Sequence, residues 1–239
     1  MNYWYTATAL AFLLVTAGWV LFGPNLLAVS YQSAASSTLA ASSTIKTDSQ
    51  NKVVADTRPV VSHVPLPDSL KAIYMSACVA GTPSFRNELV ALAKRTEINA
   101  IVIDIKDYSG TISFPPTAPA WQPAWEAADC GARDMKDFIK VLHDANIYVI
   151  GRVTVFQNPF LAERSPHLAV KRADKTSVWH DHKGLAFIDV AAKEYWNMVV
   201  DLSVDAYNIG FDELNYDYVR YPSDGNMTDT YFEHTAVSE

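Results

Sequence analysis

The chain has 239 residues, of which 49% are hydrophobic and 19% charged, and its formal net charge is −7. This composition is typical of a globular protein of one or two domains and excludes a chain that is disordered throughout. The acidic balance argues against nucleic-acid binding, which needs a basic face. The two cysteines form no CxxC pair or Cys/His cluster, so we expect no metal site and no cofactor.

An uncharged segment opens the chain. The first charged residue is Lys46, and residues 7–22 form a nearly continuous apolar run. Its length lies between the ~7–15 residues of a signal-peptide core and the ~20 of a membrane-spanning helix. We therefore expect residues 1–29 to be a signal peptide or transmembrane anchor, although the usual preceding basic residues are missing. A buried core helix is the alternative.

The next segment, residues 30–66, is rich in Ser, Thr and Ala and has no apolar periodicity, which predicts a solvated linker. This order of segments favours an exported protein, either anchored in a membrane by its N-terminal segment or secreted, with the following domain outside the cytoplasm. Export would bring Cys78 and Cys130 into an oxidising compartment. Both lie near the same end of the predicted fold, so a disulfide between them is a hypothesis.

From residue 67 to 239 the pattern alternates between strands and helices. The predicted strands are 72–79, 100–105, 147–156 and 209–218, and the predicted helices are 84–96, 133–146 and 193–208. In the first helix Ser84 is the candidate N-cap, and Phe85 and Leu89 lie on one helical stripe. The β-branched apolar run at 100–105 is typical of a strand that is covered on both faces, and hence of a parallel sheet.

Strand–helix alternation at this spacing allows two architectures, a doubly wound open sheet and a closed (β/α)8 TIM barrel. No glycine-rich phosphate loop follows a strand, which weakens the doubly wound nucleotide-binding alternative. Charged residues gather instead at the C-terminal ends of several strands, where the active sites of barrels lie. A complete barrel takes ~250 residues, so we expect one truncated to about its first four βα units.

Strand alternation brings the polar residues to one face. If the charged faces point into the barrel, its mouth holds Asp104, Lys106, Arg152, Asn215 and Asp217. Glu213 lies deeper, about 13 Å from Asp217 at ~3.3 Å per residue, too far to form the carboxylate pair of a glycosidase, ~5–9.5 Å apart. A structural ion-pair network is the alternative to a functional site. Sugar-stacking rings could come from Tyr74, Trp179, Tyr218 and Tyr221.

Several stretches resemble a known family. These are VIDIKD (102–107), IYVIGRVTVFQNPFLAERSPHLAV (147–170), WHDHKGLAFIDV (179–190) and, above all, GFDELNYDYVRYPSDG (210–225). They resemble DUF4015, a family of glycoside hydrolase-type domains that is similar in fold to α-amylase-type barrels. The resemblance covers residues 70–239, the N-terminal half of that domain.

The resemblance implies roles for individual residues. The fourth strand of amylase-type barrels ends in Asp-Gly-Phe-Arg-Phe-Asp, and its last Asp, the nucleophile, corresponds to Asp217. Asn215 stands where those enzymes have an arginine, so Arg152 or Arg220 is expected to replace it. The acid/base glutamate follows the fifth strand, which implies a position beyond residue 239; Asp104 is the alternative partner.

We therefore expect a retaining glycosidase that acts on an extracellular or cell-envelope polysaccharide or oligosaccharide, with Asp217 as catalytic nucleophile. The expected substrate-binding residues are Asp104, Lys106, Arg152, Asn215 and Arg220. Two alternatives remain open: a non-catalytic carbohydrate-binding or envelope protein on the same scaffold, and a transglycosylase, which differs from a hydrolase only in the acceptor.

Overall fold

The computed structural model describes residues 61–235, which belong to the second of two units of the chain, Thr57–Glu239. The predicted signal peptide or anchor at 1–29 and most of the predicted linker lie outside the described residues. Within residues 61–235, no helix combines the length and the apolarity that a membrane span requires.

Four parallel strands form the main sheet, and helices connect each strand to the next. The strands are β1 (Ala72–Met75), β2 (Ala100–Lys106), β3 (Tyr148–Thr154) and β5 (Glu213–Asp217). The helices are α1 (Ala77–Gly81), α2 (Pro83–Lys94), α3 (Gln122–Glu126), α4 (Met135–Asp144), α5 (Pro159–Arg164) and α6 (Lys193–Ile209). Two short strands, β4 (Lys171–Arg172) and β6 (Thr230–Tyr231), pair antiparallel in a separate small sheet.

The order of the main strands distinguishes between the two predicted architectures. The sheet runs β1-β2-β3-β5, so each strand lies beside the one that precedes it along the chain, and all pairs are parallel. A doubly wound sheet reverses its order at a switch point, whereas a barrel adds each new strand beside the last. The predicted α/β fold with a parallel sheet is confirmed, and its strand order is that of a barrel.

The two faces of the sheet differ in chemistry. One face, covered by the helices, carries fully buried side chains of the large core, among them Ile101, Ile103 and Val149. Burial of each such side chain stabilises the fold by ~1.5–3 kcal/mol. The other face, called here the inner face, has a small apolar cluster of Ala100, Tyr148 and Ile150, and polar residues toward the strand ends. This separation orients the polar residues away from the helices.

Some predicted boundaries were wrong. β1 ends at Met75 rather than at residue 79, because the Ser76 side chain accepts a hydrogen bond from the Val79 amide and starts α1. α2 begins at Pro83 after the N-cap Thr82, so Ser84 is not the cap, and Phe85 is 56% exposed. A proline is favourable there because the first helical amide has no partner within the helix.

The last predicted strand was also too long, since residue 209 still belongs to α6. Gly210 ends that helix with φ +118°, a left-handed conformation that glycine adopts without steric cost. The new strand β5 therefore begins only at Glu213, and it ends at Asp217.

Residues 61–64, which we assigned to the linker, contact the N-terminal end of the sheet. The Val64 amide donates to Asp212 Oδ1 over 2.8 Å, and the Val64 side chain packs on the small inner cluster. The His63 ring stacks on Tyr207 with 4.2 Å between centroids. The folded unit thus includes residues before the predicted boundary at 67.

The hypothesised disulfide is present. Cys78 in α1 and Cys130 after α3 are bonded, with their Cα atoms 4.6 Å apart. Next to the bridge the two segments are in close contact, since a Cβ placed on Gly81 would lie 2.5 Å from the carbonyl oxygen of Gly131. The disulfide therefore joins two segments that already pack backbone against backbone.

Candidate active site

Arg152 links two carboxylates at the C-terminal ends of three neighbouring strands. Its Nη1 donates to Asp104 Oδ1 over 2.9 Å, and its Nε and Nη2 donate to Asp217 Oδ2 over 3.0 and 2.7 Å. The parallel register explains why these side chains are in contact. Asp104 lies beside Arg152, and Asp217 lies beside Thr154, the next inner-face residue of β3. The predicted convergence of these three residues is confirmed.

The surroundings of Asp217 favour its ionised form. Burial alone would raise the pKa of its carboxyl, but the hydrogen bonds from Arg152 and from the Tyr218 amide outweigh this effect and lower the pKa below its usual range. The side chain remains 44% exposed, against 4% for Asp104. Asp217 is therefore a charged carboxylate that is held in place and accessible from solvent.

Tyr74 is the second hydrogen-bond donor to Asp104. Its hydroxyl donates to Asp104 Oδ2, while the other oxygen of Asp104 accepts from Arg152. Burial and the Asp104 carboxylate raise the pKa of Tyr74 to about 12, so the phenol stays protonated at neutral pH. The sequence suggested Tyr74 only as a stacking ring; its position on the inner face of β1, beside β2, is the signal that could have revealed the contact.

Lys106 lies elsewhere than the sequence predicted. The pairing of β2 with β3 is irregular between Asp104 and Lys106, which breaks the simple alternation. The fully buried ammonium donates to the carbonyl oxygens of Thr154, over 2.5 Å, and Gln157, over 3.0 Å. Burial lowers the pKa of Lys106 to about 7. In this structure Lys106 holds the end of β3 and does not line the cleft described next.

A cleft of about 640 Å³ opens over the strand ends. Tyr74, Asp104 and Arg152 form its floor, and the surrounding loops contribute Asp107, Tyr108, Gln157, Asp181, Lys183, Phe187, Tyr218, Arg220 and Asp224. Asp217 is not itself one of the lining residues, but it is hydrogen-bonded to two of them, Arg152 and Tyr218. Its dimensions are within the usual range for a small-molecule or oligosaccharide site, ~300–1,000 Å³.

The two arginines suggested as partners of Asp217 differ in their contacts. Arg152 bonds it directly, whereas Arg220 donates to the Tyr221 carbonyl (3.1 Å) and Ser223 Oγ (2.7 Å) and acts on Asp217 only through its charge. Arg220 also lies 4.9 Å from the Tyr218 ring centroid. Asn215 is beside Arg152 in the sheet but exposed, and does not line the cleft.

The suggested stacking residues fall into two groups. Tyr74 and Tyr218 line the cleft. Trp179 is buried against Phe187, and its Nε1 donates to the Asn226 carbonyl over 3.0 Å, so a stacking role for it was wrong. Tyr221 packs edge-on against Phe232 outside the cleft.

Tyr218 has an unusual backbone conformation. Its φ of +54° places it in the left-handed region, which costs free energy for a residue with a side chain. The turn lets the Tyr218 amide donate to Asp217 Oδ1 over 2.7 Å while the ring lines the cleft. Backbone strain of this kind is concentrated at functional sites, and nothing in the sequence predicted it.

In α/β barrels functional sites lie at the carboxyl ends of the strands, which is where this sheet carries an accessible carboxylate bonded to an arginine. The chain belongs to the DUF4015 family, which is described as "Putative glycosyl hydrolase domain" and which the sequence matches over residues 72–239. The domain is thus of the glycosyl hydrolase type.

Several solved structures are similar to this chain. A hypothetical protein from Ruminiclostridium thermocellum ATCC 27405 is 32% identical over 70% of this chain and 84% of its own, with a TM-score of 0.60. An α-galactosidase from Thermus thermophilus is 14% identical over 67% of this chain and 32% of its own, with a TM-score of 0.47. An α-L-fucosidase from Paenibacillus thiaminolyticus is 14% identical over 66% and 24%, with a TM-score of 0.48. No curated protein matches the sequence.

Proposed function

We propose that this domain is a retaining glycosidase that acts on an extracellular or cell-envelope polysaccharide, with Asp217 as its nucleophile. The observation that carries the proposal is the contact of Asp217 with Arg152, which favours the charged carboxylate and orients it next to residues that line the cleft. A nucleophilic carboxylate must be ionised and reachable by the substrate, and the Arg152 contact and the 44% exposure of the Asp217 side chain support these two requirements.

In the proposed reaction the Asp217 carboxylate attacks the anomeric carbon, and a carboxylic acid protonates the leaving oxygen. The covalent glycosyl–enzyme bond then breaks when water attacks, and the second carboxyl group takes up the water proton. Asp104 is a poor choice for this acid, because it is almost fully buried and both of its oxygens already accept hydrogen bonds. The family resemblance implies a glutamate after the next strand of the barrel as the acid/base, and this assignment stays a prediction.

The remaining residues of the cleft would position the sugar. Arg152 and Asp104 form a fixed polar floor, Arg220 stands on the rim, and the Tyr74 and Tyr218 rings offer apolar faces. Export is part of the proposal, and the Cys78–Cys130 disulfide supports it because such bonds persist mainly in oxidising compartments. Membrane attachment through residues 1–29 remains a prediction.

The test is an Asp217→Asn variant of the full-length protein, screened with wild type on a panel of polysaccharides. We expect hydrolysis to fall by at least about 10³-fold, as for other nucleophile replacements. The matched control is Asp201→Asn, which changes an exposed carboxylate on α6 and should keep full activity. Full hydrolysis by Asp217→Asn would refute the role; binding without hydrolysis by wild type would indicate a non-catalytic carbohydrate-binding protein.

A further inference from the structure

A second concavity of about 410 Å³ lies on the connection between β2 and β3. It is formed by α3 and the turn that follows, and its chemically distinctive side chains are Gln122, Trp125, Glu126, Asp129 and Arg133. The Trp125 indole is partly buried and the four polar side chains are exposed, so their polar groups are available to a ligand. We call this concavity the α3 pocket.

The side chains of the α3 pocket contact one another. Gln122 Nε2 donates to Glu126 Oε1 over 2.9 Å, one helical turn away, which places an amide beside a carboxylate. The Arg133 guanidinium lies 5.5 Å from the Trp125 ring centroid. The ring is seated on Gly131, where a Cβ would come within 2.6 Å of it. Planar amide, carboxylate and guanidinium groups beside an indole are suited to hydrogen-bonding the vicinal hydroxyls of a sugar that rests against the indole edge.

The α3 pocket adjoins the cleft across the disulfide. Cys78 is part of the cleft wall, and Cys130, to which it is bonded, is part of the α3 pocket. Because the two concavities share the disulfide, a polymer bound in the cleft can extend over the bridge into the α3 pocket, whereas a short oligosaccharide fills the cleft alone.

The charges of the pocket indicate the class of polymer. Glu126 and Asp129 face one arginine, Arg133, so the α3 pocket has a small excess of negative charge. The whole chain is also acidic, at −7. An anionic polysaccharide would be repelled by both, while an uncharged one meets only hydrogen-bonding groups.

We propose that the α3 pocket is an accessory sugar-binding site, which takes a second stretch of the same uncharged polysaccharide that occupies the cleft. The proposal rests on the proposed function for the nature of the ligand. It also predicts that the substrate is an uncharged polymer rather than one rich in uronic acid, sulfate or phosphate.

The experiment compares wild type with Trp125→Ala in the full-length protein on two substrates, an uncharged polysaccharide that wild type hydrolyses and a short chromogenic oligosaccharide of the same sugar. We expect the KM for the polymer to rise at least about fivefold, the effect of losing a binding side chain that contributes ~1 kcal/mol or more. The KM for the oligosaccharide should not change. Trp196→Ala is the matched control, since Trp196 is a half-exposed tryptophan on α6.

A second variant guards against a folding defect. Gln122→Ala removes an exposed amide without touching the core and should raise the polymer KM in the same direction. Equal KM values for the polymer in wild type, Trp125→Ala and Gln122→Ala would overturn the accessory site. A preference of wild type for polygalacturonate over uncharged polymers would overturn the charge argument.

Failure of the two proposals can be told apart. If wild type hydrolyses the polymer and Asp217→Asn does not, the proposed function stands, and the KM comparison alone decides the accessory site. If wild type hydrolyses nothing, calorimetric binding of the same polysaccharides to wild type and Trp125→Ala decides it. Unchanged binding then overturns the accessory site.

Discussion

Two aspartates flank β5 and have opposite surroundings. Asp212 immediately precedes the strand, and its side chain is 1% exposed. It accepts hydrogen bonds from the Val64 and Val149 amides and lies 3.0 Å from His143 Nε2. Asp217 is the last residue of the strand, and its side chain is 44% exposed and bonded mainly by Arg152. Asp212 thus belongs to the buried structure, whereas Asp217 lies next to residues that line the cleft.

Residue type alone therefore does not identify a functional carboxylate. A buried acid whose donors are backbone amides is part of the folded structure, because its loss leaves those amides unpaired. An accessible acid whose donor is an arginine retains an open side for a ligand. In barrels the C-terminal end of the sheet carries function and the opposite end carries stability.

The largest effect should come from replacing the structural carboxylate. We expect Asp212→Ala to lower the free energy of unfolding by about 3–5 kcal/mol, since it leaves buried amides without acceptors. Urea unfolding followed by circular dichroism measures this change. Asp217→Ala is the matched variant and should change stability by less than about 1 kcal/mol; equal losses from the two variants would remove the distinction between the two ends.

An intermediate effect is expected from Arg152→Lys. Lysine keeps one charge but cannot bridge Asp104 and Asp217 with a planar fork, and we expect kcat to fall by about 10–100-fold. Because Arg152 lowers the pKa of Asp217, its replacement should raise that pKa, and the acidic limb of the pH–activity profile should move to higher pH. A profile that keeps its acidic limb would show that Arg152 does not control the ionisation of Asp217.

The smallest effect is expected from Tyr74→Phe, which removes one donor to Asp104 and keeps the ring. A single hydrogen bond of this kind contributes ~0.5–1.5 kcal/mol, so we expect kcat/KM to fall about 2–10-fold. Steady-state kinetics on the oligosaccharide substrate measures it. Tyr108→Phe, which changes an exposed tyrosine at the rim of the cleft, is the control. A larger loss of kcat/KM in Tyr108→Phe than in Tyr74→Phe would contradict the role given to Tyr74.

The sequence predicted much of the fold because its signals are local. Apolar periodicity located the four main strands and the three longer helices, and alternation along parallel strands brought Asp104, Arg152 and Asp217 together. Strand ends were less predictable. β1 ends early because Ser76 caps the next helix, and β5 begins late because α6 extends to Ile209.

The missed features depend on contacts between distant residues. Lys106 was expected at the mouth of the barrel, but the irregular pairing after Asp104 moves its ammonium under β3. Trp179 was suggested as a stacking ring, but Phe187 and Asn226 bury it. Neither the register of a strand pair nor a partner 47 residues away can be read from a local pattern.

The docking of residues 61–64 also affects access to the cleft. Val64 is bonded to Asp212 at the N-terminal edge of the sheet, while the cleft opens at the C-terminal edge. Residues 61–64 therefore lie at the edge of the sheet opposite the cleft and leave its opening uncovered.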